Sequence, residues 1–285
     1  MTLLKKATIK QVLGEIPLTA EIYWQLRQQG RPLSKSASLR KLEKHLPAWC
    51  AQAQAAARRQ PPGKRVMIFS TLRYWIEHAA LLGVAMAGLG HQVSLAYLPY
   101  TNWRKPLNRF DLRRQNAYMR SALRKAAQLV RPVSLLDAPS TNGLPETLEA
   151  EIREVALRDT QYTLQVEEVD LTGELYRLRL ARNFKAARAA LAWMRKHRPE
   201  VVITPNGSIL EMGAVYQTAR HLGIPVVTYE FGEQRGRIWL ARDAEVMRQE
   251  TGALWAARGG TPLTEEQAER VRALFASRQD ASLWE

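Results

Sequence analysis

Cysteine is almost missing. The 285 residues hold one, Cys50, so no internal disulfide can form, and the usage fits a reducing compartment. It has no Cys or His partner at motif spacing and lies near leucines, which reads as a buried thiol rather than a nucleophile. Long apolar runs are missing too: nothing approaches the roughly 20 residues needed to span a bilayer. The opening Met-Thr-Leu-Leu-Lys-Lys is too short for the apolar region of a signal peptide. A cytoplasmic chain is expected, or one peripheral at the inner face of a membrane. No His, Cys and carboxylate group has metal-ligand spacing, so no metal is expected. Neither G-x-G-x-x-G nor a Walker loop follows the first strand, which argues against NAD and FAD.

Acidic residues are scarce. There are 27 Asp and Glu against 42 Lys and Arg, a formal charge of +15 and a pI near 10.2. Such a field attracts nucleic acid, acidic lipid or phosphorylated small molecules. The basic residues are scattered over helices and gathered in no recognised module, which ranks nucleic acid well below the other two.

What is present is an ordinary apolar fraction, 46%, enough for a real core. The most informative stretch is 200–237. Val201-Val202-Ile203 between Pro199 and Pro205 reads as a buried strand. Asn206-Gly207 makes a turn, and Ser208 with Glu211 has the capping-box spacing that opens a helix. That helix ends at Gly223, and Ile224 to Tyr229 gives a second strand running into a polar loop. A βαβ unit of this kind puts both loops on the carboxyl edge of a parallel sheet, where open α/β folds bind ligands.

The rest of the chain agrees with an α/β fold: a Rossmann-like parallel sheet flanked by helices, with an N-terminal helical arm. Residues 1–60 form the arm, with Ile9, Val12, Leu13 and Ile16 on one face, then Ile22, Tyr23 and Leu26 inward, then Leu39, Leu42, Leu46 and Trp49. Residues 61–242 carry the sheet. Arg65 to Phe69 and Gln92 to Tyr97 are strands about a helix bearing Trp75, Ala79, Leu82 and Met86, and Val133 to Leu136 is a third. Gln161 to Val166 alternates as a strand would. The helix from Glu174 to Arg198 shows Leu175, Leu178, Ala181, Leu191 and Met194 on its apolar side. Residues 243–285 read as C-terminal helices.

Gly90-His91-Gln92-Val93 opening the second strand, with PEVVITP from 199 and ARHLGIPVVTYE from 219, resembles the N-terminal, acceptor-binding domain of GT-B type glycosyltransferases of bacterial surface-glycan assembly. The resemblance covers about residues 64–237. It implies one half of a GT-B fold. The transfer it implies moves a sugar from a nucleotide-sugar, as co-substrate and with no cofactor, to a glycan or lipid-linked acceptor. It also implies a second, donor-binding domain or chain, towards which 243–285 would lead. A nucleotide-sugar epimerase of the same fold stays open as an alternative, as does a non-catalytic basic protein binding nucleic acid or membrane.

Candidate site residues follow from the carboxyl-edge loops. His78, early in the helix after the first strand, and Glu230, just past a strand end, are the candidate catalytic groups, as proton acceptors for an acceptor hydroxyl. Arg73, Tyr74, Glu233 and Arg235 are candidates for substrate binding, the arginines for phosphate. Asn206, Gly207 and Ser208 would offer backbone N–H groups at a helix start. Residues 99–114 interleave aromatics and cations, and Trp103, Arg104, Lys105, Arg113 and Arg114 suit a membrane surface or an anionic acceptor.

Overall fold

Along β1 (Arg65–Thr71) every residue after the first is buried, and its side chains divide strictly by parity. Val66 and Ile68 enter one core; Met67 and Phe69 enter another on the opposite face. A strand buried on both sides must lie mid-sheet with helices on both faces. The computed structural model, which describes residues 2–232 and 236–280, shows this arrangement.

In chain order the helices are α1 (Thr2–Glu15), α2 (Thr19–Leu26), α3 (Arg40–Ala57), α4 (Arg73–Gly88), α5 (Arg109–Leu123), α6 (Glu146–Leu164), α7 (Glu174–His197), α8 (Leu210–His221), α9 (Gly252–Arg258) and α10 (Glu265–Gln279). The strands after β1 are β2 (Gln92–Leu98), β3 (Val130–Ser134), β4 (Val201–Pro205), β5 (Val226–Phe231) and β6 (Ile238–Arg242). They form one sheet in the order 3-2-1-4-5-6, parallel throughout except for β6, which runs antiparallel to β5. The fold is Rossmann-like α/β. Residues of α7 and α8 close the core on the Met67 face; α3, α4 and α5 close the other.

Several sequence expectations meet competing forces. Gln161 to Leu164 continues α6 rather than forming a strand, because Leu148, Ile152, Val155 and Asp159 keep a buried four-three-four spacing to the helix end. β3 starts three residues before the expected Val133 and contains Pro132, tolerable because β3 is an edge strand. Ser208 and Glu211 do not form a capping box. Ser208 lies in the turn, α8 has no side-chain cap, and Glu211 is buried. Ile238 to Leu240 is an edge strand, with Trp239 opposite Glu230.

The arm differs most. Ile22, Tyr23 and Leu26 are exposed, not inward, and so are Ile9, Val12 and Ile16, whereas Leu39, Leu42 and Leu46 are fully packed. Ala20 and Trp24 give α2 a small apolar contact, and Tyr23 meets the Phe110 edge; the rest of what docks α1 and α2 is polar. Arg113 on α5 grips Glu21 with two bonds of 3.1 and 2.6 Å and donates to the carbonyls of Gly14 and Ile16. Arg114 pairs with Asp111, bonds Gln28 at 2.7 Å and lies over Tyr23 and Phe110. Both arginines are therefore used within the chain and do not stand ready for a membrane or an anionic acceptor. Replacing Arg113 with Ala should loosen the arm by about 1–3 kcal/mol. Limited proteolysis within residues 14–39 should then run roughly tenfold faster or more, since cleavage follows the open population. An unchanged rate would show that apolar contacts alone hold the arm.

Among the described residues no helix is long and apolar enough to cross a membrane.

Candidate functional site

The strand order reverses direction between β1 and β4, and their carboxyl ends define the crevice in which doubly wound sheets bind ligands. Three of the nine described non-glycine residues with positive φ lie there. Leu72 after β1 has φ 61° and ψ 146°, a region almost reserved for glycine. Asn206 after β4 has φ 60° and Leu210 at the start of α8 has φ 56°. Side-chain residues hold such angles only where their surroundings impose them, most often at functional sites.

One half of the crevice is an aromatic box. Residues of β5 alternate in direction, so Tyr229 and Phe231 share a face, and on it lie Tyr74, Trp75 and His78 from the first turns of α4. Trp75 stacks on Phe231 at 5.1 Å, and Tyr74 tilts against the same ring at 5.4 Å. His78 packs on Tyr229 and Phe231, and its Nδ1 is 3.3 Å from the Tyr229 hydroxyl. Burial holds His78 below its ordinary pKa, and burial, with Glu230 and Tyr74 adding, pushes the Tyr229 phenol up. His78 is thus a neutral imidazole at pH 7, able to accept a proton. Arg73 lies 3.9 Å from Glu77, whose carboxyl burial raises against the pull of Arg73 and Lys41.

Glu230 leaves β5 on the other face and accepts from Asn206 Nδ2 at 3.2 Å. It is therefore not brought together with His78. The 206–208 turn is closed on itself. The Asn206 N–H donates to the Tyr229 carbonyl, Gly207 to the Pro205 carbonyl, and Ser208 to Asn206 Oδ1. The expectation that these three N–H groups are open to an anion is corrected, since each already has an acceptor. Glu233 and Arg235 lie outside the described residues.

The other half of the crevice escaped the sequence reading. Asp159 of α6, Arg179, Arg182 and Asn183 of α7, and Glu211 of α8 are buried together at this edge. Arg179 Nε is 3.1 Å from Asp159 Oδ2. Burial drives the Asp159 carboxyl up to about 7, against the pull of Arg179, and raises Glu211 against Arg182, Arg179 and Thr71. All three Arg179 nitrogens, both Asn183 side-chain atoms and Glu211 Oε1 lack a well-aligned hydrogen-bond partner among the described residues. Buried polar atoms are rarely left so, because each unmade bond costs about 1–3 kcal/mol. The group is poised to bind water or the polar atoms of a ligand.

Above it lies the cation-aromatic loop. Arg182 donates to the carbonyls of Asn102 and Lys105 at 2.8 and 2.9 Å and stacks on Tyr100 at 4.2 Å. The Trp103 ring is met by Arg104 at 4.5 Å and by Arg179 at 5.6 Å. Trp103, Arg104 and Lys105 stay exposed. The loop is tied at its backbone through Arg182 and exposed at these side chains, which suits a rim.

A signal for the buried group was present. Arg179, Arg182 and Asn183 recur at three- and four-residue spacing, in step with Tyr176, Ala186 and Ala190. The inward face of α7 is thus turned by about one residue from the expected Leu175, Leu178 and Ala181, which places Arg179 and Arg182 inside. No family model and no curated protein matches this chain.

Proposed function

We propose that this chain is the acceptor-side domain of a GT-B-like glycosyltransferase, moving sugar from a nucleotide-sugar to a glycan or lipid-linked acceptor. The observation that carries the reading is the buried, incompletely bonded group of Asp159, Arg179, Asn183 and Glu211 at the switch point. A carboxyl, guanidinium and amide set of that kind matches the donors and acceptors of a hydroxylated ligand. The exposed Trp103, Arg104 and Lys105 at the rim suit the apolar and anionic parts of a lipid-linked substrate.

In the reaction an acceptor oxygen bonds to the anomeric carbon of the donor while that carbon's bond to the nucleoside diphosphate breaks. The diphosphate leaves with the electron pair, and the hydroxyl proton passes to the enzyme. His78, neutral and among aromatic rings, is the group suited to take it. The donor half is assigned to a second domain or chain.

The test is acceptor-dependent release of nucleoside diphosphate from UDP- and GDP-sugars, with the protein supplied alongside its genetic neighbours. His78→Asn should lower kcat by about 100-fold or more, with KM for the acceptor little changed. Turnover of sugar nucleotide without acceptor would assign an epimerase instead. No turnover, and no acceptor binding, would remove the reading.

A further inference from the structure

The opposite, amino edge of the sheet carries a cavity of about 580 Å3 that plays no part in the function above. Strand pairing fixes its composition. Arg65 of β1 is in register with Gln92 of β2, and Ser94 of β2 is in register with Arg131 of β3. Register partners in a parallel sheet share a face and residues two apart do too, so all four side chains leave the sheet on the side covered by α7. There α7 supplies Trp193 and His197, whose rings are 4.5 Å apart.

The cavity wall includes these six residues and, among the described residues, no carboxylate. Arg65 donates through Nε to the Arg198 carbonyl at 3.1 Å and lies 3.4 Å from Glu200 through Nη1, which leaves its other terminal nitrogen for a ligand. Arg131 makes no ion pair among the described residues. The local field is felt by His197, which is held below its ordinary pKa by burial and then by Arg131 and Lys196. β1 and β3 are two strand spacings apart, about 10 Å, and Arg131 is level with Met67, two residues along from Arg65, so the two arginines start about 12 Å apart. Two long arginines that far apart close on an anion with more than one phosphoryl group, with Ser94 and Gln92 beneath it as neutral hydrogen-bonding groups.

We propose that this amino-edge cavity is a binding site for a small molecule bearing a diphosphate, held between Arg65 and Arg131 over Ser94. It is separated from the carboxyl edge by the length of the strands, on the order of 20 Å. The site therefore stands whether or not the chain transfers sugar.

Inorganic pyrophosphate is the probe, titrated calorimetrically into the full chain at 150 mM salt. Saturable binding near one per chain is expected, with Arg131→Gln at least tenfold weaker and Arg258→Gln, an exposed cation on α9, unchanged. Pyrophosphate should also alter tryptophan emission in the native chain and not in Trp193→Phe. Arg131 is exposed on an edge strand, so its replacement should leave the melting temperature intact and any loss assignable to the site. Equal weakening by both arginine variants, many ions per chain, or no saturable binding would mean diffuse attraction to a basic surface and would overturn the site.

Discussion

Arg179→Met is expected to lower the melting temperature by about 10 °C at neutral pH, from the roughly 3–5 kcal/mol lost when one partner of a buried pair is removed. Arg179 is 1% exposed and stands against Asp159, with Glu211 close by. Without it two carboxyls share an interior with less opposing charge and must carry protons to stay there. The loss should therefore shrink as pH falls. The native protein already leans that way. Asp159 is raised in the folded state to about 7, from 3.8, so between those values the folded chain holds more protons than the unfolded one. The contribution of Asp159 to stability is then complete below about pH 4 and declines as pH rises towards 7. Denaturant melts of both proteins at pH 5 and pH 8 decide it. A larger deficit at pH 5 than at pH 8, or a melting temperature within a degree or two of native at both, would refute the account. Adding Asp159→Asn to Arg179→Met should recover part of the loss, because the uncompensated charge goes with it.

This same cluster separates what the sequence discloses from what it hides. The central strands are legible because burial on both faces needs a run such as Val201-Val202-Ile203, and breakers mark its ends. Their parallel pairing follows from the intervening helices. Position along the sheet edge is legible too: Asn206 follows β4 and Glu230 ends β5 at the carboxyl edge, and Tyr74 and His78 lie in the first turns of α4 after β1. Facing is less legible. Charged residues are assigned to solvent by default, and that rule fails for Arg179 and Glu211, whose burial is imposed by the mutual packing of the successive helices α6, α7 and α8. It fails in the opposite sense for Ile22 and Leu26, apolar residues left outside because α2 is held through Ala20, Trp24 and the Arg113–Glu21 pair instead. The capping box fails for a related reason. Glu211 has the spacing to turn back to Ser208, but the crevice beside Thr71 takes the carboxyl instead.

Gly207→Ala should cost about 3 kcal/mol and disable the carboxyl edge while leaving the rest of the sheet in place. Two independent forces act at this residue. Its φ of 84° is one that an L side chain adopts only under strain, and a Cβ there would sit 2.6 Å from Thr228 Cγ2. Thr228 cannot swing aside. Its hydroxyl donates to the Ala244 carbonyl at 2.7 Å and accepts from the Val246 N–H at 2.9 Å, which fixes the rotamer from both directions. The 206–208 turn must move instead, and with it goes the Asn206 to Glu230 bond. A second change separates the two costs. Thr228→Ser removes the offending methyl and keeps the hydroxyl, so adding it to Gly207→Ala should return about half of the lost stability. The remainder belongs to the backbone angle. Melting temperatures of the two single variants and the double variant measure this directly. If the double variant is no more stable than Gly207→Ala, the methyl contact is not what makes glycine necessary. If Gly207→Ala alone melts with the native protein, the turn at the end of β4 is softer than its closed hydrogen bonds imply, and the strain assigned to Asn206 and Leu210 loses its support.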